Sequence, residues 1–184
     1  MEKGDLPRRV VIIDYDPGWP ILYEEEKRRI LKATGHKVFA IEHIGSTAVP
    51  NLGSKPIIDM MAGVLNSVEA EECVALLQDL DYTDVTPQPG DPDWFYCLGK
   101  TYRGEAVSLQ NYHLHLVRFL SDDWKKHLLF RDFLRDHPDV AQQYYELKKN
   151  LAVKYGLDRV GYNAAKTSFI ESVIIRARTG RRTG

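Results

Sequence analysis

His43-Ile44-Gly45-Ser46-Thr47-Ala48-Val49-Pro50, followed by Lys55-Pro56-Ile57-Ile58-Asp59, is the stretch from which the fold can be read. A short apolar strand over 38–44, interrupted by Glu42 and His43, runs into a Gly-Ser turn. A second apolar strand, over 56–64, then carries one acidic side chain, Asp59. A hydroxyl-bearing turn beside a strand-borne carboxylate is a way to hold a triphosphate together with its metal. Gly45 lets the backbone approach a phosphate, and Ser46 and Thr47 can donate hydroxyl and amide hydrogens to it. Asp59 can then ligate a magnesium ion riding on that phosphate.

Asp59 sits in Pro56-Ile57-Ile58-Asp59-Met60-Met61, a run that is otherwise apolar on both faces. An ionised carboxylate among such neighbours is costly unless paired or bound to a cation. It is therefore either salt-bridged, to Lys55 or another strand residue, or a metal ligand or general base at a cleft. Side chains alternate along a strand, so Asp59 and Met61 share a face. A second acid at position 61 would complete a pair for two-metal chemistry, and methionine stands there instead.

Asn111-Tyr112-His113-Leu114-His115-Leu116-Val117 is the second constellation. His113 and His115 lie two apart on an expected strand, so both imidazoles point to one face. Such a pair can chelate a transition metal, supply acid–base groups or contact phosphate. His43 is either a third imidazole for the site or a core histidine bonded to a backbone carbonyl. Glu42 faces the other way and can pair with a basic side chain. Lys55 precedes a proline, which favours extended backbone and directs its amine, so it is a candidate phosphate ligand. Tyr144, Lys148 and Leu151, and then Tyr162, Lys166, Phe169, Ile170 and Val173, follow helical spacing. The stems of Lys148 and Lys166 run along that stripe, with each ammonium either reaching solvent or pointing into a cleft where a phosphate could sit.

The rest of the chain supplies the frame. Residues 9–13 read as a first strand and Trp19 to Thr34 as a helix opened by Pro20 and stopped by Gly35. A helix over 68–80, a strand over 82–85, a Pro/Gly/Asp-rich connection over 86–93 and strands over 94–98 and 107–120 follow, the last two around a polar turn with Arg103 and Gly104. Beyond Ser121 the pattern is helical: 122–136, ended by His137-Pro138, then 139–155 and 159–178. Strands first and helices last give an α+β class, with a mixed sheet, helices on one side and a C-terminal helical layer. At 184 residues and 43% hydrophobic, the chain is expected to form a single domain: sheet-rich over 8–120, helical over 121–178, with a frayed tail over 179–184. Arg176, Arg178, Arg181 and Arg182 form a basic, Gly/Thr-containing C-terminal stretch that reads as frayed and solvated.

Lys plus Arg number 25 against 26 Asp plus Glu, for a formal net charge of -1, which argues against a nucleic-acid partner. Cys73 and Cys97 have no metal-site spacing and read as two buried thiols in a reducing compartment. No secretory leader and no membrane-length apolar run are apparent, so a cytoplasmic location is expected.

Over nearly its full length the chain resembles the GrpB family, small proteins sometimes fused to dephospho-CoA kinase. The matching segments are 14–19 (Asp-Tyr-Asp-Pro-Gly-Trp), 42–50, 55–59, His113-Leu114-His115 and the helical region from Tyr145 to Lys166. The resemblance implies a nucleotidyltransferase-like fold, in the superfamily of polymerase β and the aminoglycoside nucleotidyltransferases. In that superfamily a Gly-Ser turn precedes a strand bearing Asp-x-Asp, with a third acid on a later strand. Gly45 and Ser46 match the turn, Asp59 matches the first acid, Met61 stands at the second, and His113 or His115 lies on the strand of the third. Three functions are in play. The first is a Mg2+- or Mn2+-dependent nucleotidyltransferase, with Asp59 and His115 on the metal and His113 assisting. Its Ser46/Thr47 turn, Lys55, Lys148 and Lys166 would hold a nucleotide whose nucleoside monophosphate passes to a small-molecule acceptor. The second is a catalytically degenerate module that binds a nucleotide or CoA-like phosphate, with a link to CoA metabolism implied by the resemblance alone. The third is a metal-dependent phosphohydrolase built on Asp59, His113 and His115.

Overall fold

The computed structural model describes residues 9–88, 91–103 and 109–180. Its frame is a mixed sheet of five strands: β1 (Ala40–Ile44), β2 (Ile57–Val64), β3 (Asp84–Pro87), β4 (Trp94–Arg103) and β5 (Leu109–Arg118), in the order β1-β2-β5-β4-β3. β2 and β5 run parallel, and the other neighbours are antiparallel. β2 is buried at every position except Asp59, which is partly exposed. That is why its sequence reads as a continuous apolar run rather than an alternating one: it is central and covered on both faces.

Helix α1 (Trp19–Thr34) and helix α2 (Ser67–Leu77) cover one face. Trp19, Tyr23 and Ile30 of α1 and Ala70, Cys73 and Leu77 of α2 pack there against Ile41, Ile58, Met60, Leu114 and Leu116. The opposite face carries Ile44, Met61 and Val117, and meets Trp124 and Leu128 of α3 (Asp122–Asp136). Helix α4 (Pro138–Tyr155), the short α5 (Arg159–Ala164) and α6 (Thr167–Gly180) complete that layer. Leu134, Val140, Tyr144 and Val173 lock α3, α4 and α6 together over Val49 and Leu52. The α+β class, the mixed sheet and the two helical layers thus match the sequence reading.

Helix boundaries follow local chemistry. Gly35 takes φ +58° and ends α1, and the Ser121 hydroxyl accepts from the Trp124 amide to open α3. Several elements differ from expectation. β3 covers Asp84–Pro87 rather than 82–85, and β4 runs on past 98 to Arg103, which lies in the strand and not in a turn. Residues 9–13 form no strand; Ile13 makes one antiparallel bridge with Ser54, while Val10 packs on α4 and α5. The segment packs on the helical layer rather than along a sheet edge. The expected helix over 159–178 is broken in two at Ala165–Lys166, where Lys166 N–H turns back to Asn163 O. Gly161 and Asn163, both weak helix formers, weaken α5 from within. Arg176 and Arg178 are helical rather than in a frayed tail, because α6 continues to Gly180, and the Arg176 guanidinium lies over the Phe133 ring. The remaining tail and the turn after Arg103 lie outside the described residues. Cys73 is buried and Cys97 partly so, and neither is in a disulfide. No helix among the described residues is long and apolar enough to cross a membrane.

Candidate functional site

β1 ends at Ile44, opposite Asp59 in the sheet register. The chain then turns at Gly45, with φ +70°, into a single 3-10 turn over Ser46–Ala48. A side chain at position 45 would place its Cβ 2.8 Å from Asp59 Oδ2, so glycine is required both by backbone conformation and by the carboxylate beside it. The sheet register also places Asp59 beside His113 and Met61 beside His115 on the parallel neighbour. Asp59 Oδ1 lies 3.3 Å from His113 Nδ1, and both side chains are about one-third open, at 32% and 39%. Burial works to raise the Asp59 pKa. The contact with His113, together with the charges of His113, His115 and Lys55, outweighs it and holds the carboxyl below its usual value.

His115 shares that face but is set deeper. Its ring packs 4.9 Å from Trp94, and its Nδ1 is sealed without a hydrogen-bond partner. Burial pushes its pKa down to about 4, against the pull of Asp59. The imidazole in direct contact with Asp59 is His113, while His115, on the same face, acts on Asp59 through its charge. Among the described residues no three His, Cys, Asp or Glu side chains are grouped so that they could hold a metal ion. Met61 is fully buried under α3, in the apolar cluster with Ile44, Val117 and Trp124. The position that would carry a second acid is filled by core.

Thr47 is turned inward. Its side chain is 1% exposed; the hydroxyl donates to Ile57 O at 3.2 Å and receives His43 Nε2 at 3.0 Å. Since that hydroxyl proton goes to Ile57, the His43 ring donates through Nε2. Thr47 thus fastens the turn to the start of β2 and has no hydroxyl to spare for a phosphate. His43 stands on the opposite sheet face from Asp59, stacked 4.7 Å from Tyr23, and burial lowers its pKa to about 4. It is the core histidine, bonded to a hydroxyl rather than to a carbonyl. Ser46 stays partly exposed at the mouth of the turn.

Three lysines gather beyond the turn. Lys55 and Lys166 place their ammonium groups 5.4 Å and 4.5 Å from the centre of the Tyr162 ring. Lys148 is 2% exposed, donates to Gly53 O at 2.6 Å and lies 4.9 Å over Tyr144. Burial, and then the neighbouring charges of Lys166 and Lys55, lower the Lys148 pKa to about 7, with Asp59 offsetting only in part. Burial and Lys55 likewise lower Lys166 to about 8, and burial lowers Lys55. Asp59 is the one carboxylate among the charges that act on all three lysines. Chemically, cations crowded this way with a single acid nearby are suited to hold an anion of several charges.

Two arginines that the sequence reading did not single out hold the turn from the side of α3. Arg131 donates to Glu42 at 2.6 Å and to His43 O at 3.1 Å. Arg135 donates to Ala48 O through Nε and Nη2, at 2.9 and 2.8 Å. They grip the backbone on both sides of Gly45–Thr47. The available signal was their i, i+4 spacing on α3 together with an acid, Glu42, that needed a basic partner.

A sequence model of "GrpB protein" matches residues 9–176. The chain belongs to the GrpB family. Among solved structures it is similar to the conserved protein GrpB from Enterococcus faecalis, with a TM-score of 0.72 and 28% identity over 93% of this chain and 99% of that one. It is 34% identical to a UPF0157 protein of Pseudomonas aeruginosa, over 92% of this chain and 68% of that protein. It is 31% identical to the glutamate-rich protein GrpB of Alkalihalophilus pseudofirmus, over 95% and 97%. At 25% identity, 91% of the chain also matches 46% of a dephospho-CoA kinase of Mycolicibacterium paratuberculosis.

Proposed function

We propose that this GrpB protein binds the polyphosphate of a nucleotide between the Gly45–Ser46 turn and Lys55, Lys148 and Lys166, and transfers its nucleoside monophosphate to a small acceptor. The observation that carries the reading is the lysine cluster with one carboxylate at its edge. An acceptor oxygen or nitrogen attacks the α-phosphorus, the bond to the β-phosphate oxygen breaks, and pyrophosphate leaves on the lysines. The acceptor's proton passes to the exposed imidazole of His113, which Asp59 orients through Nδ1. Such transfer depends on positioning and charge stabilisation more than on covalent chemistry by the protein.

Magnesium or manganese fits this site in one way: with Asp59 as a single protein ligand and the other ligands coming from phosphate and water, as is common for these ions on nucleotides. The ion would neutralise charge on the phosphoryl oxygens. Pyrophosphate release, assayed over the common nucleoside triphosphates and a panel of alcohols and amines with each metal, tests the reading. Turnover that vanishes in Asp59→Asn while the fold survives supports it; no release under any condition removes the transfer step.

The buried Met61 favours a second reading, a module that binds a nucleotide or a CoA-like phosphate without turning it over. The similarity to a dephospho-CoA kinase makes coenzyme A precursors a ligand class to include. This reading predicts thermal stabilisation by ligand without product, little changed by Asp59→Asn.

A further inference from the structure

A cleft of ≈ 220 Å³ opens beside Gly45 and Ser46. Its walls are Phe130 and His127 of α3, Tyr144 of α4 and Ile170 and Ile174 of α6, with Lys126 also on its lining. The lining side chains are apolar apart from Ser46 and these two basic residues, and the basic pair is engaged: Lys126 pairs with Asp123 at 2.8 Å, and His127 Nδ1 donates to Asp123 O at 2.8 Å. Because that ring donates through Nδ1, its Nε2 is left as the acceptor when the ring is neutral.

The cleft and the lysine cluster share a wall and a turn. Tyr144 lines the cleft, and the Lys148 ammonium lies 4.9 Å over its ring. Tyr144 also stacks at 5.0 Å on Phe169. Gly45 lines the cleft too, and a Cβ there would come within 2.8 Å of Asp59 Oδ2, so the cleft borders the carboxylate of the proposed phosphate site.

We propose that this cleft is the acceptor subsite, and that the acceptor is an uncharged apolar alcohol or amine, ring-bearing or branched, rather than a sugar phosphate, a nucleic acid or a second nucleotide. This rests on the phosphate reading given above. The walls offer Phe130, Tyr144, Ile170 and Ile174 to an apolar body, and no unpaired charge among the lining side chains to an ionic one. The reacting hydroxyl or amine then faces Gly45 and the Asp59–His113 pair.

Isoleucine-methyl NMR of the full chain tests this with benzyl alcohol as the apolar probe, adenosine as its competitor and inorganic tripolyphosphate as the anion. Benzyl alcohol is expected to shift the Ile170 and Ile174 methyls, and Ile174→Trp, which fills the cleft, is expected to weaken it by about tenfold or more while tripolyphosphate binds as before. Should Ile174→Trp not fold, Phe130→Ala removes the facing wall and is expected to weaken benzyl alcohol in the same way. Tripolyphosphate binding with no benzyl alcohol shift, or with adenosine shifting these methyls in its place, overturns the acceptor assignment and leaves the phosphate reading standing. Benzyl alcohol binding in the cleft while tripolyphosphate binds nowhere overturns both the phosphate reading and the acceptor role built on it.

Discussion

Lys148 has almost no solvent, one carbonyl partner and two other ammonium groups as neighbours, which is an unfavourable place for a charge until an anion arrives. Its pKa near 7 and that of Lys166 near 8 compare with an ordinary value of 10.5. Below about pH 7 both are charged in the folded and the unfolded chain, and the folded state bears the full penalty. Between about 7 and 10.5 the unfolded chain holds more protons, so stability contributed by these groups rises with pH. Denaturant midpoints of the ligand-free protein are expected to increase from pH 7 to pH 9, and Lys148→Met is expected to flatten that rise. Thr47 carries a separate prediction. Thr47→Val leaves His43 Nε2 and Ile57 O without their shared partner, and is expected to cost about 1–3 kcal/mol in urea unfolding. A loss close to zero would mean that the hydroxyl does not fasten the turn.

At the scale of elements, the site is the join between β1, its turn and β2, gripped from α3. Gly45→Ala forces a side chain into Asp59 and into a left-handed backbone conformation, so it is expected to destabilise by about 1–3 kcal/mol. It should also weaken polyphosphate binding, because the carboxylate must move. Arg135→Met removes both donors to Ala48 O without touching the proposed ligand site directly. Hydrogen exchange at the Ser46 and Thr47 amides should speed up in that variant, with α1 and α2 unchanged.

Much of this level was legible in the chain. The limits of α1 and α3 came out as read because Gly35, Ser121 and His137-Pro138 are local punctuation. The parity of 113 and 115 placed both on one face, but not at one depth: the His115 ring packs on Trp94 with its Nδ1 sealed, while the His113 ring meets Asp59. The direction of the Thr47 hydroxyl was not legible because a turn hydroxyl has two destinations, outward to a ligand or inward to a carbonyl. The choice depended on Ile57, ten residues away. Arg131 and Arg135 reach carbonyls nearly ninety residues distant, a relation that no local pattern encodes.

Across the whole molecule, the sheet separates two kinds of histidine. His43, under α1, is buried and neutral, with a pKa of about 4; His115, under α3, is neutral for the same reason. Both regain an ordinary value on unfolding, so between pH 6.5 and 4 the unfolded chain binds more protons and stability falls as pH is lowered. About two protons should be taken up on unfolding at pH 5 by these two groups. Potentiometric unfolding with His43→Gln should show one fewer. The order β1-β2-β5 brings the turn, Asp59 and His113 together, while Lys148 comes from α4, Lys166 from the break before α6 and Lys55 from the segment before β2.

The most direct test of that convergence is calorimetric titration of tripolyphosphate at pH 8 in two buffers of different ionisation enthalpy. An anion seated on Lys148 and Lys166 raises their pKa values, so wild-type protein should bind with net proton uptake. The uptake should shrink in Lys148→Met and Lys166→Met, with affinity lower by about tenfold in each. Binding without proton uptake, or with equal strength in both variants, would contradict the assignment of these lysines as the polyphosphate site.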